Sequence, residues 1–206
     1  MSHHAKRAHW EARYGAAPVW TGRVNEPLRA WSEAHPPLAG QRALDLACGE
    51  GGDALWLVSQ GWKVTGVDFA VPAIARATAA ATAQGLDIEF VAEDVTRWVP
   101  TGEFDLVSLS FFHEAVETRL AAWTVAASAV SEGGTLLVTG HAIDPRVGAP
   151  GPPHDSRFGR EELVEHFGEG WSMIHREIQR EGSGHHSGHM MTDLAVELTR
   201  VGPRVA

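Results

Sequence analysis

Three aspartates mark the ends of three successive apolar runs. Asp45 lies in Ala43-Leu44-Asp45-Leu46-Ala47, Asp68 closes Val64-Thr65-Gly66-Val67-Asp68, and Asp94 follows Ala92-Glu93. The first run leads straight into Cys48-Gly49-Glu50-Gly51-Gly52-Asp53, a glycine-rich turn ahead of a helical stretch, where backbone can approach a nucleotide-like ligand closely. A dinucleotide-binding loop needs G-x-G-x-x-G, whose helix N-terminus takes a pyrophosphate. Ala47-Cys48-Gly49-Glu50-Gly51-Gly52 fits that spacing poorly, and Asp45 and Glu50 would repel a diphosphate. Acids at such a turn suit a ligand with positive charge, and S-adenosylmethionine carries both a sulfonium and an amino group. Asp68, at the carboxyl end of its run, is placed to accept both hydroxyls of a ribose. Asp94 could accept from an adenine amino group, with Val95 packing on the ring.

His113, in Ser110-Phe111-Phe112-His113-Glu114, and His141 each follow an apolar run, so both are expected at the edge where a reacting group would be presented. An oxygen or nitrogen nucleophile needs its proton removed, and histidine is a reasonable base near neutral pH; a thiol or metalloid anion needs none. A loop histidine capping a helix and a surface histidine are the plainer readings. His154 and the cluster His185-His186-x2-His189 could bend over the same mouth. Imidazoles of this kind could bind a transition metal, or the cluster could be a solvated hairpin tip. Adjacent histidines are poorly placed to share an ion, no cysteine reinforces them and no strict ligand spacing is visible, so no metal ligand is assigned. Cys48 reads as a small packing residue without chemistry of its own.

The elements that must position these residues alternate strand and helix. The chain changes character near Gly40 and Ala142. Residues 1–40 form an aromatic lead-in or lid carrying Trp10, Tyr14, Trp20 and Asn25, with one helical stretch from Pro27 to His35 before Pro36-Pro37. Residues 41–206 form the main domain. Strands are predicted over Arg42 to Ala47, Trp62 to Asp68, Leu86 to Ala92, Phe104 to Ser110 and Thr135 to Gly140, separated by helices over Gly52 to Gln60, Val71 to Gln84 and Val116 to Val130. A proline- and glycine-rich loop, a helix from Arg160 to Phe167, and strands Trp171 to Arg180 and Met190 to Arg200 follow, the last two as an antiparallel hairpin. The expected architecture is α/β: a Rossmann-like, seven-stranded, mostly parallel sheet with an antiparallel C-terminal hairpin and helices on both faces.

Taken together, these runs resemble the class I S-adenosylmethionine-dependent methyltransferases. Asp45-Leu46-Ala47-Cys48-Gly49-Glu50-Gly51 is similar to that family's first motif, D-x-G-x-G-x-G, and Val67-Asp68 to its second. Phe104-Asp105-Leu106-Val107-Ser108-Leu109-Ser110 and Gly133-Gly134-Thr135-Leu136-Leu137 resemble its fourth and fifth. Ala47 departs from the pattern, standing where the first glycine is expected. Trp10-x3-Tyr14, Trp20 and Asn25 before the domain, and the stretch from Phe158 to Trp171 after it, are similar to the tellurite-resistance and thiopurine branch, whose substrates are small and soft. The resemblance implies a cofactor set of Asp45, Ala47, Cys48, Gly49, Gly51, Asp68, Phe69, Asp94, Val95 and Ser110. His113 and His141 would be catalytic. Trp10, Tyr14, Trp20, Asn25, Phe111, His154, His185, His186 and His189 would belong to the substrate site and lid.

Composition narrows the partners. The 206 residues hold 26 acidic and 17 basic side chains, a net charge of −9, with no basic run longer than Lys6-Arg7, which argues against nucleic acid or an anionic membrane as partner. One cysteine excludes an intrachain disulfide framework, and the lack of a long apolar stretch points to a cytoplasmic protein. A small-molecule methyl acceptor, with S-adenosyl-L-methionine as donor and S-adenosyl-L-homocysteine as product, is the expectation. The alternative is a non-catalytic sensor that binds adenosylmethionine, or a metal through its histidine hairpin; a dehydrogenase is opposed by the loop spacing.

Overall fold

The computed structural model describes residues 3–143, 156–181 and 190–202. Strands β1 (Arg42–Leu46), β2 (Lys63–Val67), β3 (Ile88–Val91), β4 (Phe104–Ser110) and β5 (Val130–His141) pair in parallel, and β6 (Trp171–Glu181) and β7 (Met190–Arg200) add an antiparallel pair. The order β3-β2-β1-β4-β5-β7-β6 makes one seven-stranded sheet, as expected from the sequence. Its progression reverses between β1 and β4, and ligands of open α/β sheets bind outside the carboxyl ends of the strands at such a reversal. Asp45, His113 and His141 all stand on or just after these central strands.

Side chains alternate across the sheet because successive Cβ atoms point to opposite faces. Leu44, Leu46, Val107, Leu109, Leu136, Val138 and Val196 share one buried core with Trp123 of α5 (Val116–Ala129) and Leu163 of α6 (Arg160–Phe167). Ala43, Val64, Leu106 and Leu137 face the other way, onto Leu28 of α2 (Glu26–Ala34) and Ala54 and Leu57 of α3 (Gly52–Ser59). Arg119, 1% exposed, ties α5 to α6 through both oxygens of Glu162 at 2.6 and 2.8 Å. Helix α4 (Val71–Gln84) begins beside Asp68 and ends on Gly85, whose left-handed φ of +66° stops it.

Two elements differ from the sequence reading. A helix, α1 (His3–Ala16), precedes α2, where only one helical stretch is expected before Gly40. Its packing rests on Trp10 and Tyr14, one turn apart, which meet Ala70 and Ala73 at the head of α4. A stripe of two aromatics on an otherwise polar helix gives little periodicity to read, and contact with α4 supplies the stability that propensity does not. Strand β5 starts at Val130 rather than Thr135: the chain passes through Gly133-Gly134 with a register irregularity against Phe104 and Leu106 instead of breaking there.

Leu28 is completely buried in the α2–α3 core, and its N–H is capped by Asn25 Oδ1 at 3.0 Å. Leu28→Ala is expected to cost about 2–5 kcal/mol of folding free energy, read as a lower denaturation midpoint at unchanged slope.

Candidate active site

The turn after β1 is held by carboxylates. Ala47, Gly49 and Gly51 have φ of +55°, +53° and +78°. Ala47 thus occupies the left-handed conformation natural to glycine, at roughly 1–2 kcal/mol of strain. A Cβ on Gly51 would lie 2.9 Å from Ala77 Cβ and 3.0 Å from the Phe90 ring, so only glycine lets α4 and β3 approach this closely. Asp68, buried at the end of β2, accepts the Gly49 N–H at 3.0 Å on one oxygen and the Ala70 N–H at 2.8 Å on the other. Burial pushes its carboxyl up, and these two amides oppose the rise. Each oxygen keeps a second lone pair for a ligand hydroxyl.

Asp45 lies beneath the turn, 2% exposed. Ser108 Oγ of β4 donates to its Oδ1 at 3.0 Å, while Oδ2 has no partner among the described residues. Burial drives the Asp45 carboxyl well above the usual range and the carboxylates of Asp53 and Asp68 drive it further, against the opposing pull of the Ser108 hydroxyl and the Ala54 backbone N–H. A buried acid with an unpartnered oxygen costs free energy that a cationic group can recover. The donor set therefore fits S-adenosylmethionine: Asp45 for its positive end, Asp68 for its ribose.

The aromatic lead-in closes on this turn. Glu50 accepts the Val19 and Trp20 N–H groups at 2.9 and 3.0 Å, and Arg76 of α4 at 2.9 Å. Trp20 Nε1 donates to Tyr14 Oη at 2.9 Å, and a Cβ on Gly49 would sit 3.0 Å from that same oxygen. Burial raises the Tyr14 phenol to about 12, so it stays protonated at any working pH. Trp10 stacks on Tyr14 with ring centroids 5.6 Å apart, and Phe69 packs in the same small cluster. Asn25 caps α2 and donates its backbone N–H to Asp53 Oδ1 at 2.8 Å; its side-chain amide bonds both Asp53 Oδ2 and Ser110 Oγ, the latter at 3.0 Å. Glu50 and Asp53, not assigned to the site from the sequence, anchor the lead-in to the loop. Only their places within the glycine-rich turn mark them in the sequence.

Asp94 caps its own turn: Oδ1 accepts from Thr96 N–H and Oγ1 at 3.0 and 2.8 Å, and Oδ2 from Arg97 at 3.3 Å. Val95 is buried in the α5–α6 core, and Cys48 is half-buried with its thiol pushed up by burial.

At the far end of β4, Phe111 takes a left-handed φ of +53°. Its ring lies 5.3 Å from that of His141, and His113 stacks on His141 at 4.7 Å, the two planes 6° apart. The His141 backbone N–H donates to His113 Nε2 at 3.2 Å, so Nε2 is unprotonated and the neutral ring carries its proton on Nδ1. Burial, and secondly the His141 ring, hold His113 down to about 3. His141 Nδ1 donates to Asp193 Oδ1 at 2.6 Å, and Arg180 binds both oxygens of that aspartate. Sequence reasoning missed Asp193 and Arg180, because only the hairpin register brings them here. His154, His185, His186 and His189 lie outside the described residues; among the described residues no group of three or more side chains is arranged to hold a metal ion.

Residues 43–134 match the family model of a methyltransferase domain. That stretch is therefore similar to a methyltransferase domain, and the sheet order is the one expected for the class I S-adenosylmethionine-dependent fold. Ubiquinone biosynthesis O-methyltransferase of Burkholderia ambifaria (strain MC40-6) is 31% identical over 114 residues, 54% of this chain and 49% of that protein. The chain spans less than half the length of the curated relatives it matches. A structure from work on conversion of a disulfide bond into a thioacetal group during echinomycin biosynthesis superposes with a TM-score of 0.75 and 22% identity, covering 95% of this chain and 90% of that one. TehB from Haemophilus influenzae gives 0.71 and 20%, covering 95% and 66%. Both likenesses are of fold. No described helix is long and apolar enough to cross a membrane.

The depressed His113 gives a stability signature. Between pH 6.5 and about 3 the unfolded chain binds a proton that the folded chain refuses, so stability rises with pH there and is lost as pH falls below 6.5. His113→Gln, which keeps an acceptor for the His141 N–H, is expected to remove about 1.4 kcal/mol per pH unit from that slope. Urea denaturation of the two proteins at pH 7, 6, 5 and 4.5 reads the difference; parallel curves would refute the neutral, buried ring.

Proposed function

We propose that this chain transfers a methyl group from S-adenosylmethionine to a small-molecule nucleophile held where β4 and β5 end. The single observation that carries the reading is the Asp45 carboxyl, buried with one oxygen unpartnered among the described residues, beneath the glycine-rich turn and beside Asp68. The donor supplies an already activated methyl on a sulfonium. The protein's share is alignment and exclusion of water. Asp45 and Asp68 hold the positive end and the ribose, and the Gly49–Gly51 turn lets backbone come close. Asp94, Val95, Phe69 and Ser110 complete the proposed cofactor wall. Trp10, Tyr14 and Trp20, fastened by Glu50, close over the turn as a lid. Phe111, His113 and His141 form the wall that meets the acceptor.

The Burkholderia relative's name specifies O-methylation, which supports an oxygen acceptor here. The sensor reading rests on His185, His186 and His189, which lie outside the described residues, so no structural observation favours it.

Asp68→Ala is expected to weaken S-adenosylmethionine and S-adenosylhomocysteine binding by about 10-fold or more, the scale of one charge-assisted hydrogen bond, by titration calorimetry. Affinity equal to wild type would remove Asp68 from the site, and absence of any heat with the wild-type chain would remove the methyl-transfer reading.

A further inference from the structure

Asp193 and Arg180 do not touch the glycine-rich turn, yet they make a connected set with His141 across three strands. His141 and Asp193 are directly opposed in the antiparallel β5–β7 register, and Arg180 reaches the same carboxylate from β6, where Asp193 faces Ile178. Asp193 is 2% exposed. A carboxylate this deep needs its lone pairs filled, and both oxygens are: Oδ1 by His141 Nδ1 at 2.6 Å and by Arg180 Nη2 at 3.4 Å, Oδ2 by Arg180 Nε. Burial alone would raise the Asp193 carboxyl, but the bonds from His141 and Arg180 and the guanidinium charge outweigh it and keep it ionised. An ionised carboxylate only accepts, so it fixes the His141 proton on Nδ1 and leaves the Nε2 lone pair available. Among the described residues Nε2 has no partner.

His113 is set for the opposite role. Its Nε2 is occupied by a backbone N–H and its neutral ring lies flat against His141. Phe111 packs on His141 from the same turn, and Ser110, the preceding residue, bonds Asn25, which bonds Asp53 at the cofactor turn. The site is thereby continuous from the glycine-rich loop to His141.

We infer that His141 is the general base of the proposed methyl transfer, that Asp193 braced by Arg180 is its positioning residue, and that the acceptor is therefore a proton-bearing hydroxyl or amine of phenol-like acidity rather than a thiolate or metalloid anion. The inference rests on the methyl-transfer reading above. As His141 Nε2 takes the acceptor's proton, an acceptor lone pair forms the bond to the methyl carbon and the carbon–sulfur bond breaks onto sulfur. The sulfonium charge disappears, one proton charge appears on His141, and Asp193 offsets it. A soft anion arrives deprotonated and draws nothing from this arrangement.

Two probes separate the cases: catechol, un-ionised at pH 7, and benzenethiol, largely ionised there. With the full chain and S-adenosylmethionine, catechol methylation is expected, and Asp193→Asn should lower the catechol-to-benzenethiol ratio of kcat about 10²-fold, the low end for general base catalysis, with KM for S-adenosylmethionine unchanged. Asp193→Glu should restore most of that ratio. A 15N-labelled chain should show His141 protonated at Nδ1 and bare at Nε2, with the tautomer mixed or reversed in Asp193→Asn. Equal losses with both probes, or loss of the native melting transition in Asp193→Asn without rescue by Asp193→Glu, would mark Asp193 as structural and overturn the inference. Methylation of benzenethiol alone, or of neither probe by a chain that binds the donor, would overturn the acceptor class. A chain that does not bind the donor defeats the earlier reading instead.

Discussion

A carboxyl buried in the central strand, with one oxygen left unpaired, is the constraint around which the rest of the molecule is built. The parity of β1 puts Asp45 on the same face as Ala43, under the turn that opens α3, where it is almost fully buried. A hydroxyl on the neighbouring strand, Ser108, partners one oxygen. The acids around it, Asp53 and Asp68, add like-charge repulsion to its desolvation while each performs a structural task, the first for the lead-in and the second for the loop. Ala47 adds backbone strain next to the same spot. Folded proteins retain such local violations where a ligand relieves them, and under the proposed function the cationic donor would relieve this one by mass action as well as by charge.

How much of this was visible beforehand depends on the range of the interaction. The β-strand runs are continuous apolar segments, covered on both faces, so their existence and order follow from local pattern. Asp68 and the glycine turn were legible from their position at strand ends, and Asp45 as an acid inside an apolar strand directly ahead of that turn. The roles of Glu50 and Asp53 were not, because each acts on backbone about thirty residues earlier in the chain. Glu50, read as an acid hostile to phosphate, proves to be the anchor of Val19 and Trp20. Helix α1 escaped notice because two aromatics one turn apart do not make a periodic stripe.

The hairpin shows the limit most clearly. Alternation of Leu194, Val196 and Leu198 announces a strand with one buried face, yet says nothing of which residue sits opposite His141. In antiparallel pairing a shift of one residue would turn Asp193 to the other face and break the contact, and a long glycine- and histidine-rich connection leaves that register unspecified locally. Burial of Leu194, Val196 and Leu198 against Trp123 and Leu163 selects it. The His141–Asp193 pair is thus a consequence of core packing about two strands away from the cofactor turn.

The two ends of the site use burial in opposite senses. At the turn, desolvation raises three carboxyls, Asp45 foremost, so the pocket waits for positive charge. At the histidine end, desolvation holds His113 neutral, while the hydrogen bonds and charge of Arg180 overcome it at Asp193 and keep that acid ionised. On the histidine side Asp193 is thus the carboxylate that faces positive charge, from Arg180 and from a protonated His141. In the proposed reaction, which destroys a positive charge at sulfur and creates one on a base, acids offset charge at both ends of the site and a neutral aromatic wall stands between them. Phe111 and His113 supply that wall, and their placement depends on the single left-handed residue that ends β4.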